Sequence, residues 1–144
     1  MKRTTLFVTL LLAVTASVAG MGISATVDTP RTLMSRDDYR DAMRGIESGT
    51  REALGQCRSV EGGARELCKA QARADERVRK AELQARYYGT VSASEDVEVA
   101  RVKAKYDVAR AKCGVRAVDE RLGCLREARE GRARELHAKV ASAS

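Results

Sequence analysis

The chain has few of the residues that catalytic and nucleic-acid-binding sites require. Its 144 residues include no tryptophan, one phenylalanine (Phe7), one proline (Pro30) and one histidine (His137). No serine and aspartate stand at a recognisable spacing from His137, so we do not expect a hydrolytic triad. So few aromatic rings also argue against base stacking in a dedicated nucleic-acid reader. We therefore expect no enzyme activity, no cofactor and no specific nucleic-acid partner.

The N-terminal residues have the pattern of an export signal. A basic start and an apolar run over 6–14 are followed by small residues. Ser17 and Ala19 fall where the −3 and −1 positions of a signal-peptidase site would be. We predict a signal peptide over 1–19, or a later cut after Ala25. The protein would then be periplasmic or secreted.

A lipid or membrane anchor is the alternative to a cleaved signal. No cysteine precedes Cys57, which excludes the lipoprotein form of the signal. No charged residue occurs between Arg3 and Asp28, so an uncleaved signal would be long enough to anchor the chain in the inner membrane. If the signal is cleaved, the protein is not an integral membrane protein.

The composition predicts a thin hydrophobic core. Hydrophobic residues make up 44% of the chain, but most are alanine and valine, which have little area to bury. A thin core in an oxidising compartment is where disulfides are expected, and the four cysteines are an even number.

The sequence from Ser35 onward has helical periodicity, and no segment has the pattern of a strand. Ser35 followed by Asp38 resembles a helix N-cap, and Gly89 is expected to end a helix. Ser92 with Glu95 forms a capping-box pattern, which starts the next helix. The predicted order is a polar leader (20–34), a first helical hairpin (35–88, with helices near 35–60 and 64–88), a linker (89–94), a second hairpin (95–140, its last helix near 119–140) and a tail (141–144).

The first three predicted helices each carry one apolar stripe at steps of three and four residues, and the fourth helix has a poorer one. The stripes are Tyr39, Met43, Ile46, Thr50, Ala53 and Cys57; Leu67, Gln71, Ala74, Val78, Ala81, Ala85 and Tyr88; Val99, Val102, Tyr106, Ala109 and Cys113; and Leu122, Leu125, Ala128, Leu136 and Val140.

The cysteines form two equal frames, in which ten residues separate Cys57 from Cys68 and Cys113 from Cys124. On one unbroken helix, residues 11 apart lie about 16 Å apart along the axis. A disulfide needs Cα atoms within about 7 Å. Either the chain reverses between the cysteines of each pair, or the bonds join different hairpins or different molecules.

A glycine pair, Gly62-Gly63, lies midway between the first two cysteines and suits a reversal that needs positive φ. It favours Cys57–Cys68, and the repeat then favours Cys113–Cys124, while the other connectivities stay open. A zinc site and a redox-active pair are the functional alternatives. Both normally use cysteines spaced far more closely than these, so we expect no metal.

These patterns predict an all-α fold of two disulfide-stapled αα-hairpins with four long amphipathic helices. The hairpins would pack as a four-helix bundle or stay semi-independent on either side of residues 89–94.

The formal net charge of +7 is the one feature that suggests a partner. Basic residues crowd the second and fourth predicted helices, where they could attract lipopolysaccharide or phospholipid surfaces. Acidic residues are interleaved with them, so a generic charged helix surface is the alternative. The candidate anion-binding residues are Arg73, Arg77, Arg79, Lys80, Arg126, Arg129, Arg132 and Arg134.

Two segments carry a resemblance to a group of proteins. Residues 80–87 (KAELQARY) and 106–113 (YDVARAKC), with the duplicated C-x10-C frame, resemble small, exported, alanine- and lysine-rich proteobacterial proteins, some described as cell-envelope or TolA-like. The resemblance covers about residues 39–133. This chain differs in being arginine-rich and in lacking a Gly-Asn turn between the cysteines.

The export signal, the repeated cysteine frame and the absence of a catalytic constellation in the sequence point to a non-enzymatic envelope protein with a structural, stress-related or protein-interaction role. Binding of anionic envelope polymers is the alternative function. The sequence does not identify the partner, which is left open between other envelope proteins and anionic envelope polymers, and self-association is compatible with the helical faces.

Overall fold

The computed structural model describes residues 34–143, which form four α-helices and one short 3-10 helix. The α-helices are α1 (Arg36–Gln56), α2 (Gly62–Tyr88), α3 (Val91–Gly114) and α4 (Val118–Ala143), and the 3-10 helix (Cys57–Ser59) follows α1 directly. The predicted signal peptide, its cleavage site, the leader up to residue 33 and Ser144 lie outside the described residues. The predicted tail is shorter than expected, because α4 continues to Ala143.

Helix α1 begins at the predicted cap. The Ser35 hydroxyl accepts a hydrogen bond from the backbone N–H of Asp38 at 3.1 Å and donates one to the Asp38 carboxylate at 2.7 Å. This satisfies one of the N–H groups that a helix start leaves unpaired. Ile46 and Thr50 are buried on the predicted stripe, and Thr50 also donates its hydroxyl to the Ile46 carbonyl.

Glycine allows the chain to reverse at both ends of α2. Gly62 starts α2 with φ of 56°, and Gly89 ends it with φ of 64°. An L-residue with a side chain rarely adopts this conformation. The Gly89 N–H bonds to the Ala85 carbonyl at 2.9 Å, which closes the last turn. The predicted positive φ in the Gly62-Gly63 pair is confirmed at Gly62, and Gly89 ends α2 as expected.

The predicted linker over 89–94 is wrong in length. Only Gly89 and Thr90 lie between α2 and α3, because the Thr90 side chain accepts a hydrogen bond from the Ala93 N–H at 3.2 Å and caps α3. Helix α3 therefore starts at Val91. Ser92, the predicted cap, lies inside its first turn.

The turn between α3 and α4 begins without positive φ at Val115. Val115 has φ of −92° and ψ of −2°, and its N–H bonds to the Lys112 carbonyl at 3.3 Å. The Arg116 N–H bonds to the Cys113 carbonyl in the same way. Tightened i to i−3 bonds of this kind are common at helix ends. They explain how the second hairpin turns without a glycine pair.

The four helices pack in sequence. Helix α2 makes its most extensive contact with α3, and α1 and α4 pack on the outer sides of this pair. Within residues 34–143, the backbone of α1 comes close to no α-helix except α2, and that of α4 only to α3. The arrangement is an open row rather than a closed bundle. A two-residue linker makes α2 and α3 antiparallel neighbours, so the two hairpins are joined directly.

Small side chains line the central α2–α3 seam. Ala81 of α2 clusters with Val97 and Ala100 of α3, and Ala85 packs against them. Leu83, Cys57 and Cys113 are the largest fully buried side chains of the described chain. Since burial stabilises by about 25 cal/mol per Å² of apolar surface, this alanine-rich core contributes little per residue.

Both disulfides lie at the same end of the row. Cys57–Cys68 joins the end of α1 to α2, with Cα atoms 5.6 Å apart, and Cys113–Cys124 joins α3 to α4 at 5.5 Å. The predicted all-α fold with two stapled hairpins is confirmed. Because α2 and α3 are antiparallel, the start of α2 lies beside the end of α3.

Candidate anion-binding cleft

Half of the eight candidate basic residues are neutralised by carboxylates. Arg79 pairs with Asp75 at 3.3 Å, and Arg134 pairs with Glu130 at 3.9 Å. Lys80 contacts Glu76 at 2.8 Å and Glu47 at 3.4 Å, and Arg77 pairs with Asp107. The other four, which form no ion pair within the described chain, are Arg73, Arg126, Arg129 and Arg132.

Arg73 and Arg77 line a cleft between α2, α3 and α4, close to the disulfides. The cleft has a volume of about 490 Å³. Its walls are Glu66, Lys69, Ala70, Arg73 and Arg77 of α2, Asp107, Arg110, Ala111 and Gly114 of α3, and Arg121 and Leu125 of α4. We call this the basic cleft.

The basic cleft has more positive than negative charge. Five basic side chains line it, against two carboxylates. Each carboxylate already contacts one base: Glu66 contacts Lys69 at 2.8 Å, and Asp107 contacts Arg77. The surplus of three positive charges therefore belongs to Arg73, Arg110 and Arg121 (the three cleft arginines), which form no ion pair within the described chain.

The positive charge of the cleft acts on Glu66. The hydrogen bond from Lys69 and the Lys69 charge lower the pKa of the Glu66 carboxyl below its ordinary value. The charges of Arg73 and Arg65 lower this pKa further, although partial loss of hydration opposes them. An anionic group entering the cleft would meet the same favourable field.

Tyr106 continues the basic cleft toward the middle of α4. The Cζ atom of Arg110 lies 5.7 Å from the centre of the Tyr106 ring, and that of Arg132 lies 5.0 Å away. Both distances allow a cation–π contact. Arg132 also lines, with Arg129, Ala133 and Leu136, a smaller hollow of about 230 Å³. Arg132 is thus joined to the cleft residue Arg110 through the Tyr106 ring, whereas Arg129 lines the smaller hollow.

Sequence reasoning missed three cleft residues: Lys69, Arg110 and Arg121. They come from three helices, so no single stripe connects them. One feature of the sequence could have predicted that Arg110 and Arg121 lie close together. Arg110 and Arg121 each stand three residues before a cysteine of the second pair, so a Cys113–Cys124 bond brings both to one end of the α3–α4 hairpin.

The far end of the row is held by ion pairs instead of disulfides. Arg101 of α3 donates to Glu82 of α2 at 2.8 Å and to Glu98 at 2.6 Å. Lys139 of α4 lies 2.7 Å from Glu98. The hydrogen bond and charge of Lys139, with those of Arg101, keep the pKa of Glu98 below its ordinary value despite some loss of hydration. This network links α2, α3 and α4.

The other chemically reactive side chains do not assemble a site in the described chain. All four cysteines are in disulfides, and His137 is exposed near the end of α4. Among residues 34–143, no group of three or more histidine, cysteine or acidic side chains is placed to hold a metal ion. None of the helices in that range combines the length and the hydropathy that a membrane-spanning segment requires.

No model of a known protein family matches this chain, and neither does any curated protein or solved structure.

Proposed function

We propose that this protein is an exported, non-enzymatic component of the cell envelope with a structural, stress-related or protein-interaction role. The observation that carries the proposal is the use of all four cysteines as staples between consecutive helices. Disulfides of this kind form and persist in oxidising compartments. They also compensate for a lean core, which alanine seams alone would leave marginal.

Non-reducing peptide mapping of the full chain, produced in a bacterium with its own N-terminus, tests this proposal. We expect protein recovered from the periplasm to begin after Ala19 or Ala25, to contain Cys57–Cys68 and Cys113–Cys124, and to have no thiol that reacts before reduction. A thiol pair that reacts in the native protein would instead indicate a redox enzyme. Retention of the chain in the cytoplasm with reduced cysteines would contradict export.

A second candidate function is binding of anionic envelope polymers, and the basic cleft favours it. Three arginines that form no ion pair within the described chain give the cleft a local surplus of positive charge. Such a surplus attracts lipopolysaccharide or anionic phospholipid and weakens as salt screens it. Sedimentation with vesicles across a salt series tests this function. We expect binding at low salt that falls as salt rises, and no sedimentation at low salt would reject the function.

A further inference from the structure

We propose that the basic cleft binds a phosphate monoester or diphosphate group, with Arg73, Arg110 and Arg121 as its principal ligands. This inference rests on the anion-binding function proposed above and names the chemical class that the cleft would recognise. A phosphate group of this kind can belong to a lipid headgroup or to a free polyphosphate, and both would bind through the same contacts.

Charge selects the class of ligand. The Glu66 and Asp107 carboxylates already form ion pairs with Lys69 and Arg77. An entering anion can therefore bind the other three basic side chains without breaking an existing ion pair. Three positive charges are left to balance. A single carboxylate or a phosphodiester supplies one negative charge, whereas a phosphate monoester supplies nearly two and a diphosphate more. The more highly charged group therefore matches the cleft better.

The chemistry of the ligands agrees with this choice. A guanidinium group presents a planar set of N–H donors that fits two phosphate oxygens at once. Three guanidinium groups from three helices would contact different oxygens of one compact anion. An extended carboxylate polymer would spread its charge over a longer surface than the cleft provides.

The cleft has the size of a small-molecule site. Its volume of about 490 Å³ falls within the usual range of roughly 300–1,000 Å³ for ligand pockets. A headgroup or a short phosphate chain fits in such a volume. A longer polymer would then bind through a single phosphate group, at its end or on a branch, placed in the cleft.

Part of the site is arranged before a ligand arrives. Arg110 lies over the Tyr106 ring, which restricts the guanidinium group that faces the cleft from α3. The Cys113–Cys124 bond fixes how α3 and α4 are placed, and with it the separation of Arg110 and Arg121. Less conformational entropy is lost on binding when the protein side chains that contact the anion are already in place.

The test is calorimetric titration of the exported, oxidised protein with inorganic pyrophosphate in about 20 mM salt, where charge contacts are weakly screened. The cleft variant carries Arg73→Gln, Arg110→Gln and Arg121→Gln. The matched control carries Arg36→Gln, Arg51→Gln and Arg86→Gln, which remove the same charge from exposed arginines that also form no ion pair within the described chain. Far-UV circular dichroism and thermal unfolding check that both variants stay folded.

We expect the cleft variant to bind pyrophosphate at least about tenfold more weakly, a loss of about 1.4 kcal/mol or more. We expect the control to change affinity by less than about twofold, since diffuse charge has little effect on a localised site. Equal losses in the two variants would overturn the cleft proposal but leave polyanion binding standing. No binding of any anion by the unmodified protein would overturn both.

Vesicles separate the two sources of phosphate. One set contains phosphatidic acid, whose headgroup is a phosphate monoester, and the other contains phosphatidylglycerol, a diester, at matched surface charge. Stronger sedimentation with phosphatidic acid, reduced by added pyrophosphate, indicates a lipid-borne ligand. Pyrophosphate binding without such a preference indicates a free phosphate. Equal sedimentation with both lipids, together with no pyrophosphate binding, contradicts the proposal.

Discussion

Gly63, the second residue of α2, packs directly against Val115 in the turn between α3 and α4. A Cβ atom on Gly63 would overlap the Cγ1 atom of Val115 and would lie only 3.2 Å from its Cβ. The two stapled turns therefore meet across a position where no side chain fits. Gly62 supplies the backbone conformation of the first turn, and Gly63 supplies the space for the second.

This contact predicts that Gly63→Ala destabilises the fold, by about 1–3 kcal/mol of unfolding free energy, because the added methyl forces the two turns apart. Gly45→Ala is the matched control. No atom of residues 34–143 lies within 4 Å of a Cβ built at Gly45, so alanine there should stabilise α1 by up to about 1 kcal/mol. Denaturant titration measures both.

Combining Gly63→Ala with Val115→Ala checks the cause of this effect. The double variant should recover most of the stability that Gly63→Ala loses. If Gly63→Ala alone were as stabilising as Gly45→Ala, the two turns would not be in contact.

The corrected start of α3 gives a second prediction. Thr90→Ala should lower the unfolding free energy by about 1 kcal/mol, because it leaves the Ala93 N–H without its acceptor. Ser92→Ala should change stability by no more than a few tenths of a kcal/mol, since Ser92 is an exposed residue inside the first turn. Thermal or denaturant unfolding of the two variants compares them. A larger loss from Ser92→Ala would place the cap where the sequence pattern indicated.

The ion pairs at the far end of the row predict how acid affects stability. The pKa of Glu98 in the folded protein lies below its ordinary value of 4.5. The hydrogen bond from Lys139 is the main cause, and the charges of Lys139 and Arg101 add to it. A depressed pKa contributes stability that is present above the unfolded value and lost as pH falls through the folded one. Stability should therefore fall as the pH drops below about 4.5, with Glu66 contributing in the same direction.

Glu98→Gln isolates this effect. The variant should be less stable at neutral pH and should lose less stability between pH 5 and pH 3, because glutamine does not titrate. Glu95→Gln is the control on the same helix, since Glu95 is exposed and forms no ion pair within the described chain. Unfolding midpoints measured at several pH values would contradict the assignment if both variants had the same acid dependence.

Local patterns predicted the helices and part of the faces that they bury. Ser35, Gly62 and Gly89 act through their own backbone and nearest neighbours, so their roles follow from sequence. Helix α3 packs on both α2 and α4, which spreads its apolar residues around the helix. The predicted stripe through Val102 and Cys113 therefore omitted a second set of buried residues, namely Ala93, Val97, Ala100 and Ala104.

The basic cleft could not be predicted from composition for a related reason. The density of arginine on α2 and α4 pointed to charged faces, but acidic neighbours cancel much of that charge. Arg77 and Asp107, for example, are 30 residues apart and pair only because α2 and α3 are adjacent. Which arginines keep an unbalanced charge depends on such tertiary contacts.

The two disulfides should differ in their effect on anion binding. Each joins cysteines 11 residues apart, so each closes a loop of the same length and should stabilise the fold by a similar amount, about 3 kcal/mol. Arg110 and Arg121 stand one helical turn before Cys113 and Cys124. Cys113→Ser with Cys124→Ser should therefore release α4 and lower pyrophosphate affinity, because Arg121 is no longer held in the cleft.

Cys57→Ser with Cys68→Ser is the matched control for this last prediction. It should lose comparable stability and keep pyrophosphate affinity within about twofold, since no residue of α1 lines the cleft and the α2–α3 seam still holds Arg73 beside Arg110. Amide hydrogen exchange of α2 and α3 confirms that each variant is folded during the titration. Equal losses of affinity in the two variants would mean that anion binding follows overall stability rather than the position of α4.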